Sequence, residues 1–310
     1  MKSHSQQKNG PLRSISKGGK VYRLDDNLHR SLNLETSKLE FRFALKGVGE
    51  SSVFPGFCQK HERLFSVFEN SALNPGDERQ AWGLFYRTFA YEKARKRREH
   101  FRWRTLQAEL AATYPPLNLA SITPYVDGFR EHIRSTCDYH LKVARQMLDS
   151  GDFSDLRTVW LVLSSNVGVS CSSAINLHLD NYGEYILANP GKPIPSFTFN
   201  LIPGPCETHV LLSWLKEFDS EAHWLAQAVN CTHSVEFLLN RLSFCDSEDA
   251  CVNPSLWESI ENPNGLIDSM RHVQERGLLH ESQVPQIIKV KGVSLNTSIN
   301  RTSADESLSE

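Results

Sequence analysis

Phe54-Pro-Gly-Phe-Cys-Gln-Lys-His-Glu-Arg-Leu-Phe-Ser-Val-Phe-Glu69 is where the periodicity of this sequence changes. Before it, Leu39, Phe41, Phe43 and Leu45 alternate with Glu40, Arg42 and Lys46, the period-two pattern of a half-buried strand. Gly47, Gly49 and two serines then break that pattern. After the Pro55-Gly56 turn, Leu64, Phe65 and Phe68 fall on one face of a short helix. Asn74-Pro-Gly-Asp77 predicts a second turn, with Asp77 as the N-cap of a long helix. That helix carries Trp82, Phe85 and Phe89 on one face as core residues. It extends to Ala112, where Tyr114-Pro-Pro stops it.

Downstream, the pattern predicts a helix over Tyr125–Asp149, ended by Gly151. Arg157-Thr-Val-Trp-Leu-Val-Leu163 is β-branched and apolar and predicts a buried strand. Tyr185–Ala188, Phe197–Ile202 and Thr208–Leu212 follow as strand candidates, with a turn at Asp180–Gly183. Helical patterning returns over Leu212–Val229 and Ser234–Leu242. Asn253-Pro254 marks a further helix start, and Gly265–Arg276 continues the helical region. This order predicts an α+β fold: a helical layer over about 58–149, a mostly antiparallel sheet over about 156–212, then C-terminal helices. Residues 1–20 and 286–310 are poor in apolar side chains and read as disordered tails around a single domain spanning 21–285.

The chain has 310 residues, 40% of them hydrophobic and 23% charged, enough apolar material for a sizeable core. Its seven cysteines are odd in number and scattered, unlike a secreted disulfide framework. Met1–Lys8 lacks the apolar core of a signal peptide. The apolar runs Val159–Leu163 and Val210–Leu215 are too short to span a bilayer. These features predict a reducing, cytoplasmic setting and no membrane partner.

Two patterns could carry chemistry. Cys58-x-x-His61 supplies a thiolate and an imidazole at a spacing that lets both face one ion. Cys137-x-x-His140 repeats the pair on a helix face, and together they make a candidate four-ligand zinc site. Cys58, His61, Glu62 and Asp180 would serve the alternative of a metal- or thiol-dependent hydrolase. Gly168-Val-Ser-Cys-Ser-Ser173 lacks the glycine of a nucleophile elbow. The chain has neither a phosphate loop nor a dinucleotide fingerprint.

The second pattern is basic. Residues 93–104 hold seven Lys/Arg and one Glu, a net +6 in a chain of net −2, which leaves the remainder at −8. Lys93, Arg95, Lys96, Arg97, Arg98, Arg102 and Arg104, with Trp103 among them, are candidate nucleic-acid contacts: cations for phosphates, an aromatic for stacking. A solvated helix face, or pairing with the chain's own acids, is the competing reading.

Gly56–Glu69, followed by Phe85-Tyr-Arg-Thr-Phe-Ala-Tyr-Glu92, resembles a loose group of bacterial proteins without an assigned activity. In these, Phe-Cys-x-x-His-Asp/Glu-x-x-Leu-Phe precedes an aromatic helix. The resemblance implies a bacterial origin and a single domain, and it carries over no catalytic residue. The sequence as a whole predicts a binding or interaction protein, associated with nucleic acid or a protein partner.

Overall fold

The computed structural model describes residues 3–6, 8–25, 32–33, 38–39, 42–54, 56–113, 123–177, 193–229, 232–263, 266 and 284–296. Its strands are β1 (Ser3–His4), β2 (Lys20–Leu24), β3 (Leu32–Asn33), β4 (Lys38–Leu39), β5 (Phe43–Gly47), β6 (Val53–Phe54), β7 (Leu156–Leu163), β8 (Val169–Asn176), β9 (Ser196–Pro203), β10 (Thr208–Leu215), β11 (Cys251–Val252) and β12 (Val293–Asn296). Its helices are α1 (Arg13–Ile15), α2 (Gln59–Glu62), α3 (Ser66–Glu69), α4 (Glu78–Thr113), α5 (Thr123–His132), α6 (Tyr139–Ser150), α7 (Asp219–Ala228), α8 (Thr232–Phe244) and α9 (Pro254–Glu258). The fold is α+β: N-terminal helices, a central antiparallel sheet and C-terminal helices. Among the described residues, no helix is long and apolar enough to cross a membrane.

The central sheet has eight strands in the order β12-β7-β10-β9-β8-β11-β2-β5. Register places Ser172 opposite Asn200, Asn200 opposite Leu211 and Leu211 opposite Trp160, so these four share one face. Cys171, Leu201, Val210 and Leu161 form the matching row on the other face. That second row belongs to the main core with Leu225, Leu238, Leu239 and Leu242 of the C-terminal helices, and Phe197 meets Trp224 edge-on. The first row is covered instead by α4. Ala81 and Leu84 pack with Trp160 and Leu211, and the Thr88 hydroxyl sits 3.0 Å from Ser172 Oγ and 3.1 Å from Asn200 Oδ1.

Local signals set most helix boundaries as expected. Asp77 Oδ1 accepts from Gln80 N–H at 2.9 Å, which starts α4. Gly151 closes α6 with a left-handed φ of 73°, a conformation glycine adopts without a Cβ clash. Asn253 Oδ1 accepts from the N–H groups of Ser255 and Leu256, with Pro254 at the first helical position of α9. Trp82, Phe85 and Phe89 are all core, and the Trp82 indole donates to the Ala144 carbonyl at 2.8 Å. The helix expected over Tyr125–Asp149 is present, interrupted by a π-type stretch at Ile133–Asp138.

Three boundaries differ from expectation. Leu212–Leu215 completes β10 rather than opening a helix. A run buried on both faces has no periodicity to tell strand from helix. Residues 3–6 and 8–20 are not a tail: β1 pairs with β6, and Leu12 and Ile15 are fully buried beside Cys251. The C-terminal region is built in as far as Asn296. Asn240 Oδ1 accepts from the N–H groups of Ile287 and Ile288 at 2.8 Å each, and β12 pairs with β7. Composition averaged over these segments hides the few residues that find distant partners. The stop at Tyr114-Pro-Pro, the turn at Asp180–Gly183, the strand at Tyr185–Ala188 and residues 297–310 lie outside the described residues, as do all of Gly265–Arg276 but Leu266.

Candidate functional site

Cys58 stands at the N-terminal boundary of α2 with its side chain exposed. The backbone N–H groups of His61 and Lys60 point at its sulfur and hold the thiol below its ordinary value, the His61 amide contributing most. His61 Nδ1 lies 3.3 Å from Cys58 Sγ, so this expected pair does form. Glu62 does not join it: its carboxylate faces Arg87 Nη2 at 3.2 Å. Arg87 is itself buried, pairs with Glu69 at 2.6 Å, and lies over the Phe65 and Phe68 rings at 4.2 and 5.0 Å. The Gln59–Glu69 segment is thereby anchored to α4 through one guanidinium. Asp180 lies outside the described residues.

Cys137 and His140 are fully buried in the helical layer. His140 Nδ1–H donates to the Thr136 carbonyl at 2.7 Å, and its ring stacks on Phe89 with centroids 4.3 Å apart. Burial pushes the Cys137 thiol up beyond its ordinary range and pulls the His140 imidazole down to about 4. Both behave as core groups. Among the described residues, no three of His, Cys, Asp and Glu are grouped to hold a metal ion, so the zinc site expected of Cys58, His61, Cys137 and His140 is not assembled there.

The six described cysteines therefore divide by chemistry. Cys58 and Cys206 are exposed, whereas Cys137, Cys171, Cys245 and Cys251 are buried, each with its thiol raised by desolvation. Iodoacetamide under native conditions is expected to modify Cys58 and Cys206 and to spare these four. Peptide mass mapping checks this, and early alkylation of any of the four would contradict the packing described.

The basic run is split by the fold. Lys93 pairs with Asp138, and Arg95 with Glu92 and Glu248. Lys96 reaches Glu92 at 3.6 Å and lies 5.5 Å from the Phe129 ring centroid. Burial alone would raise the Glu92 carboxyl, but Arg95, Lys96 and His132 outweigh it and hold the group far below the usual carboxylate range. These three cations are engaged inside the protein. Beyond them, Arg102 and Arg98 pair with Glu99 at 2.9 and 3.8 Å, and Trp103 is half-buried. Arg97 and Arg104 are exposed, and among the described residues neither forms an ion pair. Between them Phe101 is 71% exposed.

Sequence reasoning missed a buried polar cluster at Asp249. Its Oδ2 accepts from Ser5 Oγ at 2.9 Å and Gln6 Nε2 at 3.1 Å. Its Oδ1 accepts from the Tyr91 hydroxyl at 2.9 Å and faces Arg23 Nη2 at 3.5 Å. Desolvation raises the Asp249 carboxyl, with Arg23 and these hydrogen bonds opposing. The cluster ties the N-terminal segment and α4 to the loop before β11. The partners stand 244, 243 and 158 residues from Asp249, so local spacing carries no signal for it.

Compared with known proteins, the chain matches no family model, no curated protein and no solved structure.

Proposed function

We propose that the protein binds single-stranded nucleic acid through the distal half of α4. The observation that carries this reading is Phe101, 71% exposed between Arg97 and Arg104. Spacings of four and three residues put all three on one helix face. An exposed ring offers a stacking platform for a base, and the flanking guanidiniums suit phosphates on either side.

The reading favours single strands over duplex. Duplex affinity rests on many phosphate contacts, commonly about six to ten, and this face offers few cations not already engaged in the fold. Stacking would supply the rest of the affinity. Fluorescence anisotropy with a labelled short oligonucleotide tests the proposal. Phe101→Ala is expected to weaken binding by about 1–3 kcal/mol. Replacing Arg97 and Arg104 together by Ala is expected to flatten the log Kd against log salt slope by about 1.4, at roughly 0.7 per phosphate contact on a single strand. Binding that ignores salt, or survives Phe101→Ala unchanged, ends the proposal.

A further inference from the structure

The polar face of the sheet is only partly covered by α4. Beyond Leu84 it opens into a cavity of about 540 Å³, roofed by the N-terminal segment through Gln6, Pro11 and Ser14 and walled by Phe68 and Leu73. Its floor is Ser170 and Ser172 of β8 and Asn200 and Ile202 of β9. A volume of this order fits a drug-sized molecule.

Three lining residues carry buried polar atoms with no hydrogen-bond partner: Gln6 Oε1, Ser170 Oγ and Asn200 Nδ2. The surroundings fix which atom is left over in Gln6, whose amide nitrogen faces only acceptors. Gln6 Nε2 donates to the Asp249 carbonyl at 2.6 Å and to its carboxylate, leaving the Gln6 carbonyl oxygen unused. Ser172 Oγ–H donates to Asn200 Oδ1 at 2.9 Å, leaving the Asn200 amide N–H groups unused. Of the other lining hydroxyls, Ser5 donates to Asp249 and Ser14 to the Pro203 carbonyl at 2.7 Å, while Ser71 is exposed. Buried polar groups are rarely left unpaired, and three on one cavity lining is a concentration that a bound partner would relieve.

The unused set is one acceptor, one donor amide and one hydroxyl able to do either, and none is charged. Glu69 and Glu207 on the lining already face Arg87 and His209, at 2.6 and 3.0 Å, and Arg13 on the lining is exposed. His209 has no nitrogen to spare for chemistry. Nδ1 must accept from the Trp160 indole, 3.0 Å away, so Nε2 carries the proton and donates to Glu207. An anion would meet two carboxylates and no buried cation. A sugar, polar on every side, would lie against Phe68, Leu73, Leu84 and Ile202. A flat heterocycle with an amide-like edge satisfies both the apolar walls and the polar floor.

We infer that this cavity binds a neutral nucleobase or nucleoside, with Asn200 and Gln6 reading its donor and acceptor edge and Ser170 completing the set. This site is separate from the α4 face: Phe101 lies 17 residues beyond Leu84, about 25 Å along the helix.

The test is calorimetric titration of the full chain with adenosine, guanosine, cytidine and uridine, with methyl glucoside and inorganic phosphate as comparison ligands. At least one nucleoside is expected to bind about tenfold tighter than either comparison ligand. Ser170→Ala removes a hydroxyl that has no partner in the protein. It is expected to leave the melting temperature equal or higher while weakening that nucleoside about tenfold. Leu73→Trp, which narrows the cavity from its rim, is expected to abolish binding, and Phe101→Ala to leave it unchanged. The inference is overturned if no nucleoside binds, if glucoside or phosphate binds as well, or if Ser170→Ala and Leu73→Trp bind like the unaltered chain. Loss of nucleoside binding in Phe101→Ala would place the ligand on α4 instead and also overturn it.

Discussion

Asp249→Ala is expected to cost about 3–5 kcal/mol of folding stability, the usual consequence of removing one partner of a buried ion pair. Arg23, itself buried, would lose this carboxylate, and Tyr91, Ser5 and Gln6, all buried, would each lose an acceptor. Against a total stability of roughly 5–15 kcal/mol, such a loss is severe. Asp249→Asn keeps one acceptor oxygen and should fall between the two. Urea unfolding followed by tryptophan fluorescence provides the measurement. An Asp249→Ala variant within about 1 kcal/mol of the parent would show that the cluster is not what holds the N-terminal segment in place. The same variant should increase proteolysis near Ser3–Leu12, because Ser5 and Gln6 dock on this carboxylate.

His140 supplies the second large effect, in acid. Its folded value is about 4 against 6.5 for a free imidazole, and burial is the main cause. The ring faces Phe89, Phe85, Phe218 and Tyr139, donates to the Thr136 carbonyl, and has His132 as its charged neighbour. Among the described residues no carboxylate contact stabilises a charged form, and the Thr136 and Ser196 backbone groups only partly oppose burial. The unfolded chain therefore takes up this proton first as pH falls. The stability tied to neutral His140 is complete above pH 6.5 and is lost progressively between 6.5 and 4. The loss amounts to roughly 2 kcal/mol by pH 5 and roughly 3 kcal/mol in full. His140→Phe keeps the stack on Phe89 and removes the proton site, so its unfolding free energy should fall less between pH 7.5 and 5. Parallel pH slopes in the two proteins would rule out His140 as the acid-sensitive group.

The elements that local chemistry specifies were legible. Asp77, Trp82, Phe85 and Phe89 announce where α4 starts and which face it buries. Gly151 and Asn253-Pro254 mark a helix end and a helix start through side-chain and backbone preferences that act within a few residues. The candidate site was legible only in part. Cys58 and His61 lie close because three residues of helix bring them together. Cys137 and His140 share a helix with each other but not with the first pair. The basic run was plain, yet Glu92, Glu99, Asp138 and Glu248 decide which of its cations remain exposed, and two of these acids come from other elements.

What the sequence determined by itself is the α+β order, the long aromatic helix and three of the four central strands, β7, β9 and β10, since periodicity and caps are local. The serine-rich Val169–Asn176 strand, without an apolar alternation, was not among them. The tertiary structure decided how the polar rows of those strands are used. Alternation in Ser196–Pro203 reads as one face in water, but α4 covers that face with Thr88 on Ser172 and Asn200. Whether a serine or asparagine meets solvent, a neighbour or a cavity depends on what packs over it, and that partner comes from more than 80 residues away. The same long-range pairing turned residues 3–6 and 8–20 from an apparent tail into built structure, with Gln6, Pro11 and Ser14 roofing the cavity, through contacts that no window of sequence contains.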